Sequence, residues 1–192
     1  MSFTHLKLEN WRNFLTVDVD LQQRTFIVGP NAAGKSNLLD VFRFLRDVAD
    51  PQKGFQRAVQ DRRGVSQMRS LHARRYPNVT IEVDVKLAPG SSWKYRLAFT
   101  QDNQRRAIVA EEVVTKDGEE ILRRPDKHDD VDIDRRTQTH LEQVNSNKSF
   151  RELAQFFSRV HYLHLVPQLI RQPDRSSGGK TREGDPFGGD FL

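Results

Sequence analysis

Gly29-Pro30-Asn31-Ala32-Ala33-Gly34-Lys35-Ser36 fits G-x-x-x-x-G-K-[ST], the pattern of a loop that cradles phosphate. The chemistry asks for these residue types at this spacing. Backbone N–H groups must approach the phosphate oxygens closely, so Gly29 and Gly34 supply freedom where a side chain would block the anion nest. A helix starting near Lys35 aims the positive end of its dipole at the same oxygens. Lys35 is then the catalytic cation, reaching the β- and γ-phosphates, and the Ser36 hydroxyl is the ligand of a magnesium ion that bridges them. A glycine-rich turn that binds nothing is the bland alternative. The flanking elements count against it, although the motif alone does not separate binding from turnover.

The elements that must position this loop are legible on both sides. Phe26-Ile27-Val28 is continuously apolar, as in a strand buried on both faces, and is expected to be the central strand feeding the loop. Before it, Thr4, Leu6 and Leu8 alternate with polar residues, as do Leu15, Val17, Val19 and Leu21. Both runs read as half-buried strands, so the chain opens with a hairpin connected through Asn10–Phe14. After the loop, Leu38, Leu39, Val41, Phe42, Phe44, Leu45 and Val48 follow helical spacing until Asp50-Pro51. They cover more than one face, which predicts packing against a sheet on one side and further protein on the other.

Composition bounds the remaining possibilities. The 192 residues suffice for one full core, or for one domain and part of another. Charged residues make up 30% and hydrophobic ones 36%, with twelve Phe available for packing. No apolar run has the length of a membrane span, and Met1–His5 lacks a signal peptide's regions, which points to the cytoplasm and away from membranes. Without Cys there is neither a disulfide framework nor a thiolate metal site. The net charge is +5, yet Lys53, Arg57, Arg62, Arg63, Arg69, Arg74 and Arg75 stand against the single acid Asp61 between positions 53 and 75. That segment is expected to be irregular or weakly helical. Arg62, Arg63, Arg74 and Arg75 are its candidate contacts to a DNA backbone, against the blander reading of a solvated loop.

Further along, Val79–Leu87 and Trp93–Phe99 alternate strictly around the turn Ala88-Pro89-Gly90-Ser91. Strands around 108–115 and 120–123 flank Lys116-Asp117-Gly118, a strong hairpin signal. Residues 79–123 therefore read as an antiparallel β-meander, with Trp93, Tyr95 and Phe99 as core. The Asp-rich stretch 125–136 lacks the spacing of a calcium loop and reads as an exposed acidic loop. Ser149-Phe150-Arg151-Glu152 has the capping-box pattern ahead of a helix to about Arg159, and 160–166 reads as a mostly buried strand. His161 and His164 would then lie on opposite strand faces and are structural. From 172 to 192, Gly, Pro, Ser and charge predict a loop or tail.

The residues F-x-x-L-x-L-x-N-W-R-N-F, followed by F-I-V-G-P-N-A-A-G-K-S-N-L-L-D-V-F-R-F-L, resemble the N-terminal part of RecF/SMC-like ABC-type ATPases. Within that branch the chain is similar to stand-alone prokaryotic AAA-family ATPases related to the overcoming-lysogenization-defect nucleases and other DNA-repair or phage-defence ATPases. The match covers about Phe3 to Val48 and includes Asn31, Asn37 and Asp40. A weaker one covers 162–173. The resemblance implies an α/β, P-loop NTPase N-terminal lobe over 1–171, with a mixed sheet, an N-terminal β-hairpin, a P-loop helix and an attached β-meander. Residues 172–192 would lead into a missing C-terminal lobe.

Carried onto this chain, the resemblance implies ATP contacts from Gly29, Pro30, Asn31, Ala32, Ala33, Gly34, Lys35, Ser36 and Asn37. Arg12, Asn13 and Phe14 lie where the first hairpin approaches the nucleotide. Magnesium falls to Ser36 and to a Q-loop glutamine, either Gln168 or Gln172, with Gln168 the assigned candidate. No apolar strand ends in Asp-Glu as a Walker B would, and no L-S-G-G-like signature is present. In this class those parts hold the metal, activate water and close a second head over the γ-phosphate. The expectation is thus an ATP-binding lobe acting in DNA repair or phage defence, completed by a C-terminal lobe and a second ATPase head in a homodimer. A nuclease is a candidate partner, and the chain alone is expected to bind ATP without efficient turnover. A non-catalytic nucleotide-sensing module and a small P-loop kinase or GTPase are the alternatives. No N-K-x-D guanine-reading motif supports a GTPase.

Overall fold

A computed structural model describes residues 1–70, 78–88 and 90–163. The chain divides after Arg159 into two units, and the fold that follows is that of Met1–Arg159. Of the second unit only 160–163 is described, and it is irregular. The remainder of the strand expected over 160–166, including His164, lies outside the described residues.

Six antiparallel strands form one sheet in the order β2-β1-β3-β4-β5-β6. They are β1 (Ser2–Trp11), β2 (Phe14–Asp20), β3 (Val79–Ala88), β4 (Ser91–Gln101), β5 (Ala107–Lys116) and β6 (Glu119–Arg124). The helices are α1 (Lys35–Ala49), α2 (Gly54–Gln60), α3 (Val65–Met68), α4 (Lys127–Val131) and α5 (Arg151–Ser158). Period-two alternation sends Leu6 and Leu8 of β1, Val79–Val85 of β3, and Trp93, Tyr95, Leu97 and Phe99 of β4 into one core. Val41, Phe44, Leu45 and Val48 of α1 and Leu153 and Phe157 of α5 close it. Phe44 lies 5.5 Å from the Trp11 ring and 5.6 Å from that of Phe99, fixing α1 on the sheet. Removing its ring costs about 3–5 kcal/mol by the usual cavity penalty. The hairpin, the loop helix and the meander are therefore present, and Asp117 and Gly118 make the expected β5–β6 turn with φ of 51° and 88°.

Several expectations are corrected. Phe26–Val28 forms no strand, and Phe26 and Val28 are 86% and 90% exposed. A strand needs ladder partners, but β2 pairs with β1 and no described strand offers Phe26–Val28 a parallel edge, so the described sheet is antiparallel rather than mixed. Residues 54–60 and 65–68 of the basic segment are helical. The Ser149 capping box does not form: Phe150 is the N-cap of α5 and makes no side-chain cap bond. A capping box forms instead at α4, in the stretch expected to be an exposed acidic loop, where Asp126 accepts from the His128 and Asp129 amides.

The reason that stretch folds is Arg124. Buried at the end of β6, its guanidinium donates to Asp129 at 2.6 and 2.9 Å and to Glu112 at 3.3 Å. Glu112 is buried in β5 opposite Leu97, where alternation would place an apolar residue. It also accepts from the Tyr95 hydroxyl and the His140 and Leu141 amides. Burial pushes the Glu112 carboxyl upward, outweighing these donors. Burial also raises Asp129, but there the Arg124 fork, the Asp126 amide and Arg135 win and hold the carboxyl well below its ordinary value.

Replacing Arg124 with Ala leaves two buried carboxylates without their shared cation. Urea denaturation should show a loss of about 3–5 kcal/mol, and a loss below about 1 kcal/mol would contradict this assignment. Acid should act through His140 as well. Burial, helped by the Arg124 and Arg135 charges, lowers its imidazole from 6.5 to about 4. As pH falls from 6.5 towards 4 the unfolded chain takes up this proton before the folded one, so stability present above 6.5 is lost across that window. His140→Gln should flatten this part of the stability profile, and an unchanged slope would exclude the residue as its source.

Candidate functional site

The loop 29–34 leads into α1 through Gly34, whose φ of 98° is left-handed and which makes no side-chain cap bond. The first turn of α1 also contains no acid. Its leading N–H groups and positive dipole end are thus neither capped nor neutralised by a side chain. Within the loop Ala32 also takes a left-handed φ of 64°, and the Ala33 amide donates to the Pro30 carbonyl at 3.3 Å. Lys35 folds back, and its ammonium donates to the Gly29 and Pro30 carbonyls at 2.8 Å each. An ammonium has three donors, so this geometry fixes its position and leaves one hydrogen uncommitted. Asn31, Ala32, Gly34, Lys35, Ser36 and Asn37 line a concavity of about 430 Å³. No carboxylate lines it, and such a donor set suits an anion with several oxygens.

Three consecutive residues of the β1–β2 turn grip the first half of α1. The Trp11 indole donates to the Asn37 carbonyl at 2.7 Å, Arg12 donates to the Asp40 carboxylate at 3.1 Å, and the Asn37 amide donates to the Asn13 side-chain oxygen at 2.8 Å. Phe14 completes the contact. A Cβ on Gly34 would stand 2.5 Å from the Asn13 amide nitrogen and 2.8 Å from the Phe14 ring. Gly34 therefore answers two demands, a left-handed φ and the close approach of the hairpin.

A protein-family model described as "AAA domain, putative AbiEii toxin, Type IV TA system" matches residues 24–188. The chain belongs to this AAA-domain family. It is similar to the DNA replication and repair protein RecF of Synechocystis, 31% identical over 110 residues that cover 56% of this chain and 28% of that protein. It is also similar to RecF of Roseiflexus castenholzii, 40% identical over 58 residues, or 30% of this chain and 15% of that protein. Endonuclease GajA of Bacillus cereus is 36% identical over 58 residues, or 30% of this chain and 10% of that protein. The chain thus spans between 10% and 28% of the length of these relatives.

Set on the geometry, the residues expected to form the site fall into three groups. Lys35, Ser36, Asn37, Asn31, Ala32 and Gly34 line the concavity, with the Gly29 and Pro30 carbonyls holding the Lys35 ammonium. Asn13 touches Gly34 and Asn37 from the hairpin, whereas Arg12 directs its guanidinium to Asp40 and the Gln67 carbonyl. Gln168 and Gln172 lie outside the described residues. Among the described residues no three His, Cys, Asp or Glu side chains cluster as a metal site.

The AAA domain also holds a charge network that the linear pattern hides. Arg62, counted with the basic segment as a DNA contact, is buried: it forks onto Asp40 at 2.9 and 3.0 Å and reaches Asp47 at 3.1 Å. It is not available to an external phosphate. Burial raises Asp47, but the Arg46 hydrogen bond and the charges of Arg62, Arg46 and Lys53 bring it below its ordinary value. Arg63 is exposed, while Arg74 and Arg75 lie outside the described residues. The available signal was the spacing of Asp40 and Asp47: seven apart, they share one face of α1.

Gly34→Ala should destabilise the fold by about 1–3 kcal/mol through its left-handed φ and the displaced hairpin turn. Chemical denaturation checks this, and a variant as stable as the wild type would mean that the turn does not rest on Gly34.

Proposed function

We propose that the chain is the ATP-binding lobe of a RecF/SMC-like ATPase. The observation that carries this reading is the Lys35 ammonium, pinned on the Gly29 and Pro30 carbonyls beside an acid-free concavity at the uncapped start of α1. In it, backbone N–H groups from Asn31 to Asn37 bind the phosphate oxygens, and Lys35 directs its remaining donor to the β- and γ-phosphates. The concavity suits a triphosphate, and the Ser36 hydroxyl is a hard oxygen suited to magnesium. Magnesium commonly takes one or two protein oxygens and fills its shell with phosphate and water. When bound, the ion neutralises charge on the phosphate oxygens.

Lys35 and Ser36 orient and neutralise, but neither removes a proton from an attacking water at neutral pH. The one carboxylate in the first half of α1, Asp40, is engaged by Arg12 and Arg62. In this reading hydrolysis depends on a second lobe bearing a Walker B and a signature, and on pairing with another ATPase head. RecF by its name acts in DNA replication and repair, and GajA is an endonuclease. We therefore place the chain in DNA repair or phage defence, with DNA and a nuclease as partners and the exposed Arg63 as a backbone contact. Among the described residues no helix is long and apolar enough to cross a membrane.

Calorimetry with Mg-ATP tests the site. The chain should bind, and Lys35→Ala should lose affinity by about tenfold or more, the scale of one charge-assisted contact. Equal affinity of the two proteins would overturn the assignment. Phosphate release by residues 1–192 should be slight, and robust release abolished by Lys35→Ala would contradict the split-site view.

A further inference from the structure

Asp40 sits one helical turn beyond Ser36, on the same side of α1. Its two carboxylate oxygens serve two arginines from different elements. Arg62, buried between α2 and α3, takes both oxygens, while Arg12 of the hairpin turn takes one at 3.1 Å. Arg12 in turn holds the end of α3. Its backbone amide donates to the Met68 carbonyl at 2.6 Å, and its guanidinium donates to the Gln67 carbonyl at 3.3 Å. The neighbouring strand residues complete the seam: the Ser70 amide donates to the Asn10 carbonyl at 2.9 Å, and Trp11 bridges Arg69.

The two sides of this seam differ in what can hold them in place. The α1 side is packed into the core through Val41, Phe44 and Leu45. The α3 side enters the same core through Val65 and Met68, but it is a four-residue helix, too short to persist by its own hydrogen bonds, so it depends on these contacts and on the seam. Arg12 is itself under tension. It adopts a left-handed φ of 54°, as Asn10 does at 58°, and its Nε is buried without a hydrogen-bond partner. Such a turn persists only while its surroundings hold it, and among the described residues Asp40 is the carboxylate that pairs with both arginines, Arg62 also reaching Asp47.

From this geometry we propose that Asp40 is a positioning residue that couples occupancy of the phosphate loop to the α2–α3 segment through Arg12 and Arg62. The proposal rests on the nucleotide-binding reading above. Ligand in the loop orders Lys35, Ser36 and Asn37. Asn37 carries Trp11 and Asn13, and Asp40 carries Arg12 and Arg62. Ordering the start of α1 therefore lowers the opening frequency of α3 and of the arginine-bearing surface around Arg63 and Arg69. Coupling of this kind needs no large displacement, because one ordered end reduces the conformational freedom left to the other.

Amide hydrogen exchange on the full 192-residue chain, with and without Mg-ATP, reads this directly. The amides of Arg69 and Ser70, bonded to the Val65 and Asn10 carbonyls, report on α3 and the seam. In the wild type, Mg-ATP should slow exchange over 29–40 and also over 64–70, the latter by about fivefold or more, the lower range of ordinary allosteric coupling. Asp40→Asn keeps the shape but sets an amide against two guanidinium groups. It should retain ATP binding within about threefold and protection of the loop, while losing the ATP-dependent protection of 64–70. Asp40→Glu, which restores the charge, should recover part of it. Protection confined to 29–40 in the wild type would overturn the proposal, as would undiminished protection of 64–70 in Asp40→Asn. If the wild type shows no ATP binding by calorimetry, the nucleotide reading itself fails and takes this inference with it. The wild-type comparison stands even if a variant does not fold.

Discussion

The turn of the N-terminal hairpin seats on the first half of α1 through contacts from Trp11, Arg12, Asn13 and Phe14. Much of the molecule follows from that seating. β1 lies between β2 and β3, so fixing its end against α1 sets the angle at which the helix crosses the sheet. The crossing angle places Phe44 between Trp11 and Phe99 and brings Gly34 under the hairpin. The phosphate loop is then a short span whose far end is anchored by the sheet rather than by its own sequence. Such anchoring matters because a loop with two left-handed residues, Ala32 and Gly34, persists only where its surroundings over-determine it.

Two buried ionic networks accompany this arrangement. Arg62 with Asp40 and Asp47 ties a helical excursion to α1, while Arg124 with Glu112 and Asp129 ties the chain after β6 to the sheet. Buried pairs of this kind contribute little net stability against an apolar replacement, but losing one partner is costly. The Arg62 network acts beside the core burial of Phe55, Val59, Val65 and Met68, whereas the stretch around Asp129 leaves its apolar residues Val131 and Ile133 exposed and rests more on its ion pairs. The solvent face of the sheet is different. There Arg96 bridges Glu82 and Glu111 at 3.0 and 2.7 Å in partial exposure, where such pairs contribute little.

The regular parts of the fold were legible because their signals are local. Alternation in β1 to β4, the Asp117-Gly118 turn that joins β5 and β6, and the apolar spacing of α1 each report on residues a few positions apart. Lys35 and Ser36 were legible because the motif fixes their neighbours as well as themselves. What escaped depends on distant partners. Arg62 looked like surface charge because its acids lie fifteen and twenty-two residues back along the chain. Asp129 looked exposed although Arg124 is only five residues back, because burial of the pair depends on Glu112 of the neighbouring strand, and Phe26–Val28 looked like a strand because apolar content states a wish for burial without naming a neighbour. The contacts of Asp40 were invisible for the same reason, since only the folded hairpin brings Arg12 to it.

The proposed function stands on phosphate binding at the hairpin-clamped loop. The most direct measurement is a titration of the isotopically labelled chain with Mg-ATP, followed by backbone amide resonances. Saturable shifts should concentrate on the amides of Gly34, Lys35, Ser36 and Asn37, with smaller shifts at Asn13. Saturable shifts centred elsewhere, with those amides unmoved, would contradict it.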